Sequence, residues 1–209
     1  MFKKVREDLA AFKERDPAAR SKAEIFLLYN GFHAVLFYRL AHWLYRHRCL
    51  FLARWVSQYA KFRTGVEIHP AAKIGKGLVI DHGTGIVVGE TCVIGDYCML
   101  YQGVTLGGTG KDTGKRHPTL EDHVMVGSGA KILGPFTIGS HSKIAANAVV
   151  LEAIPPHSTA VGVPARIVRQ NGQKVEDDLD QVHIPDPIAQ EFARLTERIA
   201  ELEKKLEDK

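Results

Sequence analysis

Ile68-His-Pro-Ala-Ala-Lys-Ile74-Gly-Lys-Gly-Leu-Val-Ile80-Asp-His-Gly-Thr-Gly-Ile86 carries an aliphatic residue at every sixth position. The step continues through Cys92, Cys98 and Val104, breaks at the glycine-rich, basic segment Gly107 to Pro118, and resumes at Leu120, Val126, Ile132, Ile138, Ile144 and Val150. All thirteen positions are aliphatic or Cys. A period of six matches neither the helical nor the strand repeat. It fits a short strand and a tight corner, with one aliphatic side chain turned inward per face. Three such hexapeptides close a triangular coil, and coils stack at about 4.8 Å through backbone pairing. Gly75, Gly127 and Gly139 follow inward positions, where corners need a permissive backbone. The reading is a parallel β-helix over residues 68–155, with only its ends in need of cover.

On the N-terminal side, Leu28, Phe32, Val35, Leu36, Leu40, Trp43 and Leu44 recur at helical spacing and predict a helical region over residues 1–64. Asp16-Pro17 reads as a helix start, with Asp as N-cap. On the C-terminal side, Pro155-Pro156 ends the coils, and Val161 to Val168 reads as a covering strand or loop within a β-helix domain of residues 65–170. In residues 171–209, Ile188, Phe192, Leu195, Ile199, Leu202 and Leu206 step by four and three, a heptad seam that predicts a helix able to pair as a short coiled coil.

Composition narrows the class. The 28 basic and 24 acidic residues leave a formal charge of +4, too weak to argue for nucleic acid. The three cysteines, Cys49, Cys92 and Cys98, contain no C-x-x-C pair and suit a reducing compartment. The N-terminus lacks the pattern of a signal peptide, and the apolar stretch from Ile25 to Phe62 is broken by His33, Arg39, His42, Arg46, His47, Arg48 and Arg54. A cytoplasmic protein is expected.

Chemistry is expected where the repeat is decorated or interrupted. The excursion 107–118 carries Lys111, Lys115, Arg116 and His117. It does not match a phosphate-cradling Walker loop; an excursion of this length from a regular solenoid is usually functional, with a solvated basic loop as the plainer alternative. Asp81-His82 follows inward Ile80, and Glu67 precedes inward Ile68. A neutral imidazole can take a proton from a hydroxyl, and a carboxylate can fix its tautomer. Spacing alone does not bring Glu67 to His82. The histidines His69, His82, His117, His123 and His141 also leave open a zinc enzyme of the γ-carbonic anhydrase type, and a non-catalytic scaffold is a third class.

Gly65-Val-Glu-Ile-His-Pro70, Ile80-Asp-His-Gly-Thr-Gly-Ile-Val-Val-Gly-Glu90, Val104-Thr-Leu-Gly-Gly-Thr-Gly110, Arg116-His-Pro118 and Val161-Gly-Val-Pro-Ala-Arg166 together resemble the serine O-acetyltransferases, within the hexapeptide-repeat acyltransferases. The Asp-His-Gly-Thr-Gly segment with Arg-His-Pro is the specific part. The resemblance implies a left-handed coil and transfer of an acetyl group from acetyl-CoA to the hydroxyl of L-serine, with no metal. It implies His82 as general base and Glu67, where many members have Asp, as its carboxylate partner. Asp81 and Asp16 would receive the serine ammonium, and Arg116 its carboxylate, for which a planar fork is suited. His117 would lie near the oxyanion or the substrate, and Gly108, Lys143 and Ala146 at the coenzyme A site. Another O- or N-acetyltransferase of the same fold is the nearest alternative. Compared with the longer members, much of the N-terminal helical region ahead of Asp16 is missing, so a homotrimer is expected. The ending Glu-Asp-Lys lacks the terminal isoleucine by which many relatives dock into O-acetylserine sulfhydrylase, so that association is doubtful. Feedback inhibition by cysteine is compatible with its likeness to serine.

Overall fold

The computed structural model describes residues 2–110, 113–171, 194–196 and 198–199. Four helices come first: α1 (Phe2–Arg15), α2 (Lys22–Leu28), α3 (Asn30–Arg46) and α4 (Leu50–Thr64). Gly65, in the left-handed conformation at φ 72°, ends α4 and starts the coils.

Fourteen parallel strands of two to four residues and one antiparallel strand then build three faces. The first face holds β1 (Glu67–Ile68), β4 (Val87–Val88), β7 (Thr105–Gly107), β10 (Lys131–Leu133) and β13 (Val149–Val150). The second holds β2 (Lys73–Ile74), β5 (Val93–Ile94), β8 (Thr119–Leu120) and β11 (Thr137–Ile138). The third holds β3 (Val79–Ile80), β6 (Met99–Leu100), β9 (Met125–Val126), β12 (Lys143–Ile144) and β14 (Ser158–Val161), closed by β15 (Arg166–Gln170), which runs antiparallel to β14. This is the left-handed parallel β-helix. The segment after Pro156 is a covering hairpin.

The register corrects the six-residue frame. Ile68 pairs with Val88, Ile74 with Ile94 and Ile80 with Leu100, so the first coil takes 20 residues and the frame slips by two at residues 81–86. Ile86, Cys92, Cys98 and Val104 are still buried, because each hexapeptide turns two side chains inward: the strand residue and the residue two before it. Both kinds of position are small or aliphatic, so the slip leaves no mark on a hydrophobicity pattern. Cys92 and Cys98 are core residues, and burial pushes their thiols up to about 12.

The first coil has no coil beneath it, and its open backbone groups are met by helix side chains. The Tyr38 hydroxyl donates to Ala72 O at 2.7 Å and accepts from Ile74 N at 3.1 Å. Ser57 donates to Ile68 O at 2.8 Å. Arg39 donates to Ile74 O at 2.8 Å, to Gly75 O, and through two nitrogens to Asp8, each at 3.0 Å. Asp8 in turn accepts from Gly77 N at 2.7 Å. Sheet edges left bare invite pairing with other chains; here side chains of α1, α3 and α4 occupy that edge. Phe12, Ile25, Phe32 and Val35 share one core with Ile68, Ile74 and Ile80. The helices are therefore built onto the prism.

Two sequence expectations change in the helical region. Asp16 is not a helix N-cap. It follows α1, its N–H still donating to Phe12 O, and its carboxylate accepts from Ala18 N at 2.8 Å in a local turn. The N-cap is Ser21, which accepts from Glu24 N at 3.1 Å. Asp-Pro serves a turn as readily as a helix start. Arg39, counted as a polar break in an apolar stretch, is buried. Among the described residues no helix is long and apolar enough to cross a membrane. Most of the expected heptad seam lies outside the described residues; residues 194–196 and 198–199 are helical, with Leu195 and Ile199 half exposed.

Along the corner between the second and third faces, Tyr97, His123, His141 and His157 stack one per coil, with ring centroids 5.5, 4.7 and 5.0 Å apart. All four have positive φ, between 54° and 59°. Corner backbone of this kind belongs to the coil itself.

Candidate active site

The two extra residues of the first coil sit in the corner from the third face to the first. Gly83 N donates to Asp81 O at 2.6 Å and Thr84 N to His82 O at 3.0 Å, a tight turn with His82 at φ 56° and Gly83 at φ 76°. The turn lifts the His82 ring out of the prism, where it is 73% exposed with Nε2 3.8 Å from Asp81 Oδ1. A ring so placed can exchange a proton with a hydroxyl brought to it.

Helix α3 fixes this corner. A Cβ on Gly31 would overlap the Ile80 carbonyl oxygen, so only glycine lets the start of α3 rest on the end of β3, just ahead of Asp81. Tyr29, at the N-cap of α3, hydrogen bonds with Asp16 and feels the charge of Asp81. Desolvation first, then that hydrogen bond, pushes its hydroxyl up to about 12, so it remains a donor. Asp16, Tyr29, Asp81 and His82 therefore share one corner. Two carboxylates there can hold an ammonium group. Tyr29 and Gly31 escaped the sequence reading, because nothing in helical spacing says what a helix start rests on.

Arg116 and His117 stand elsewhere. The excursion leaves after β7 and returns at β8, at the corner between the first and second faces. His117, only 8% exposed, is anchored by Thr91: its Nδ1 lies 2.9 Å from Thr91 Oγ1 and 3.2 Å from Thr91 N. Burial, then the neighbouring Arg116 charge, lowers its pKa, which favours the neutral ring. A Cβ on Gly89 would overlap that ring, and one on Gly108 would lie 3.1 Å from Nε2. Arg116 donates to Glu90 Oε2 at 2.7 Å through one guanidinium nitrogen. The arrangement offers an N–H donor beside a cation. Thr91 carries no mark in the sequence, and Glu90 stands there only as the last residue of the Ile80–Glu90 stretch.

Glu67 does not meet His82 within one chain. It lies on β1 and is held by Lys61 Nζ at 2.6 Å and Arg54 at 3.8 Å. Electrostatically it belongs with His69, which also feels Glu90 and Arg116. Within one chain the first face lies between the excursion and the Asp81–His82 corner. An excursion's length does not say which corner it covers. Gly108 belongs with Arg116 and His117, Lys143 is nearly buried on β12 of the third face, and Ala146 is exposed at the corner after it. His123 and His141 lie on the far corner, away from His82 and His117, and among the described residues no group of three His, Cys, Asp or Glu side chains is placed to hold a metal ion.

Comparison with known proteins agrees with both halves of this architecture. Family profiles described as "Serine acetyltransferase, N-terminal" and "Bacterial transferase hexapeptide (six repeats)" match residues 1–36 and 117–152. The serine acetyltransferase of Bacillus subtilis is 51% identical over 208 residues, covering 100% of this chain and 96% of the relative. The Neisseria gonorrhoeae serine acetyltransferase crystallised with serine superposes with a TM-score of 0.78 at 46% identity, over 80% of this chain and 69% of that one. A serine acetyltransferase in complex with cysteine superposes at 0.83, again at 46% identity, over 87% and 71%.

Proposed function

Because the chain belongs to the serine acetyltransferase family, transferring acetyl from acetyl-CoA to the L-serine hydroxyl, we propose that His82, Asp81 and Asp16 perform this reaction together with Arg116, His117 and Glu67 of a neighbouring copy in a trimer. The observation that carries this reading is the separation of the two groups on different corners of one prism. A general base left 73% exposed cannot keep water from the acyl group. A second copy laid against the first face supplies both the cover and the missing donors.

In this arrangement Asp16 and Asp81 receive the serine ammonium and the guanidinium of Arg116 its carboxylate. His82 accepts the hydroxyl proton as the serine oxygen attacks the thioester carbonyl. The neutral His117 donates from Nε2 to the developing oxyanion. When the tetrahedral intermediate collapses, the C–S bond breaks and His82 returns its proton to the departing thiolate sulfur. Glu67 balances the imidazolium from the neighbouring first face. Acetyl-CoA extends along the coils past Gly108, with Ala146 and Lys143 toward its far end. The three thiols are unpaired, in keeping with a reducing, cytoplasmic setting. The solved complex with cysteine supports the same pocket accepting cysteine, as a competitor of serine.

Two measurements test this reading. Light scattering should return about three times the 23.2 kDa chain mass, and a monomer with full activity would end it. Arg116→Ala should raise the KM for serine about 10- to 100-fold, the worth of a lost charged hydrogen-bond pair, and leave the KM for acetyl-CoA within about twofold. Equal effects on both substrates would remove Arg116 from the serine carboxylate.

A further inference from the structure

We propose that Thr91 is a positioning residue for acetyl transfer, holding His117 in the neutral form that carries its proton on Nε2. The proposal deepens the reading of His117 as oxyanion donor and rests on it. Its basis is a complete inventory of the hydrogen bonds of one side chain. A threonine hydroxyl has two acceptor sites and one proton. Both acceptor sites are taken by backbone, Arg116 N at 3.0 Å and His117 N at 3.1 Å. The one hydroxyl proton is left for the nearest remaining acceptor, His117 Nδ1 at 2.9 Å. The Thr91 backbone N–H points at the same nitrogen from 3.2 Å. A nitrogen that receives two donors carries no proton of its own. The ring is therefore neutral with its hydrogen on Nε2, and Nε2 has no hydrogen-bond partner among the described residues.

Other groups at Thr91 serve the same end. Its carbonyl oxygen accepts from Lys115 Nζ at 2.8 Å, so the amide, carbonyl and hydroxyl of one residue hold 115–117 together. Gly89, two residues earlier, leaves the slot into which the imidazole fits. The excursion thus returns to the prism through Thr91, and its histidine arrives with its tautomer fixed. A histidine free to take the other tautomer would present a lone pair to the oxyanion and repel it.

The test uses the full chain with Thr91→Val, which keeps the shape and removes the hydroxyl, and Thr91→Ser, which restores it. Thr91→Val should lower kcat about tenfold with the KM for acetyl-CoA unchanged, and Thr91→Ser should recover most of it. Without the hydroxyl donor the neutral ring can also take the tautomer with its proton on Nδ1. The kcat deficit of Thr91→Val should therefore be largest where the ring is neutral and shrink toward acid pH, where the imidazolium carries a proton on Nε2 in either case. Thr91→Ser should show no such trend. In a His117→Gln background Thr91→Val should cost nothing further, because its effect passes through the ring. An additive loss in that background overturns the proposal. Imidazole 15N shifts report the tautomer directly. Wild type should show Nδ1 bare and Nε2 protonated, and Thr91→Val should show Nδ1 partly protonated. If His117→Gln keeps wild-type kcat, His117 is not the oxyanion donor, and the 15N pattern alone then decides whether Thr91 sets the tautomer. A Thr91→Val protein with wild-type shifts overturns it.

Discussion

His82→Asn should lower kcat by about a hundredfold to ten-thousandfold, the usual share of a general base, while acetyl-CoA binds with unchanged affinity. Asparagine is the informative replacement. His82 sits at φ 56°, where Asn is tolerated far better than Ala, so the corner keeps its turn and the loss reads as chemistry. The ring contributes little to packing, being 73% exposed, and thermal stability should stay within a degree or two of wild type. The assay is thiol release from acetyl-CoA with L-serine, with acetyl-CoA affinity measured by calorimetry. Turnover within about tenfold of wild type would place the base elsewhere.

The second large effect lies far from the chemistry. Arg39→Ala should destabilise the chain by about 3–5 kcal/mol, the cost of breaking a buried ion pair on one side. Asp8 would be left buried without a counter-charge, and the carbonyls of Ile74 and Gly75 would lose their donor. Burial already holds the Asp8 carboxyl above its usual value, and Arg39 opposes that rise. Removing Arg39 lets the pKa climb further, so the folded variant binds a proton that the unfolded chain releases. A raised folded pKa gives stability that is present below the unfolded value and lost as pH rises through the folded one. The deficit of Arg39→Ala should therefore be smallest near pH 4 and grow toward neutrality. Urea denaturation at several pH values measures it, and a pH-independent deficit below about 1 kcal/mol would show that the pair carries no such load.

How much of this could be read from the chain depends on whether a feature is periodic or relational. The prism was legible because burial in a coil repeats at every sixth residue. The slip at residues 81–86 was not, since Ile86 and Val88 are both buried and both aliphatic. His82, Asp81, Arg116 and His117 were legible as chemistry through their resemblance to a family, but their distribution over two corners was not. Asp8 and Arg39 stand 31 residues apart, and nothing local marks either as the other's partner. Tyr29, Gly31 and Thr91 act through what they rest against, which only the register discloses.

Both irregularities of the coil, the two added residues at 81–86 and the excursion at 107–118, enter at corners and leave every rung of backbone pairing unbroken. Selection can then work on two nearly independent traits. Rung residues answer for folding, and corner segments answer for which acceptor is bound. A lineage of such proteins can exchange one corner for another and change its substrate without first losing and regaining a stable chain. That freedom gives a physical reason why a single scaffold of this kind can diversify in acceptor more readily than in shape.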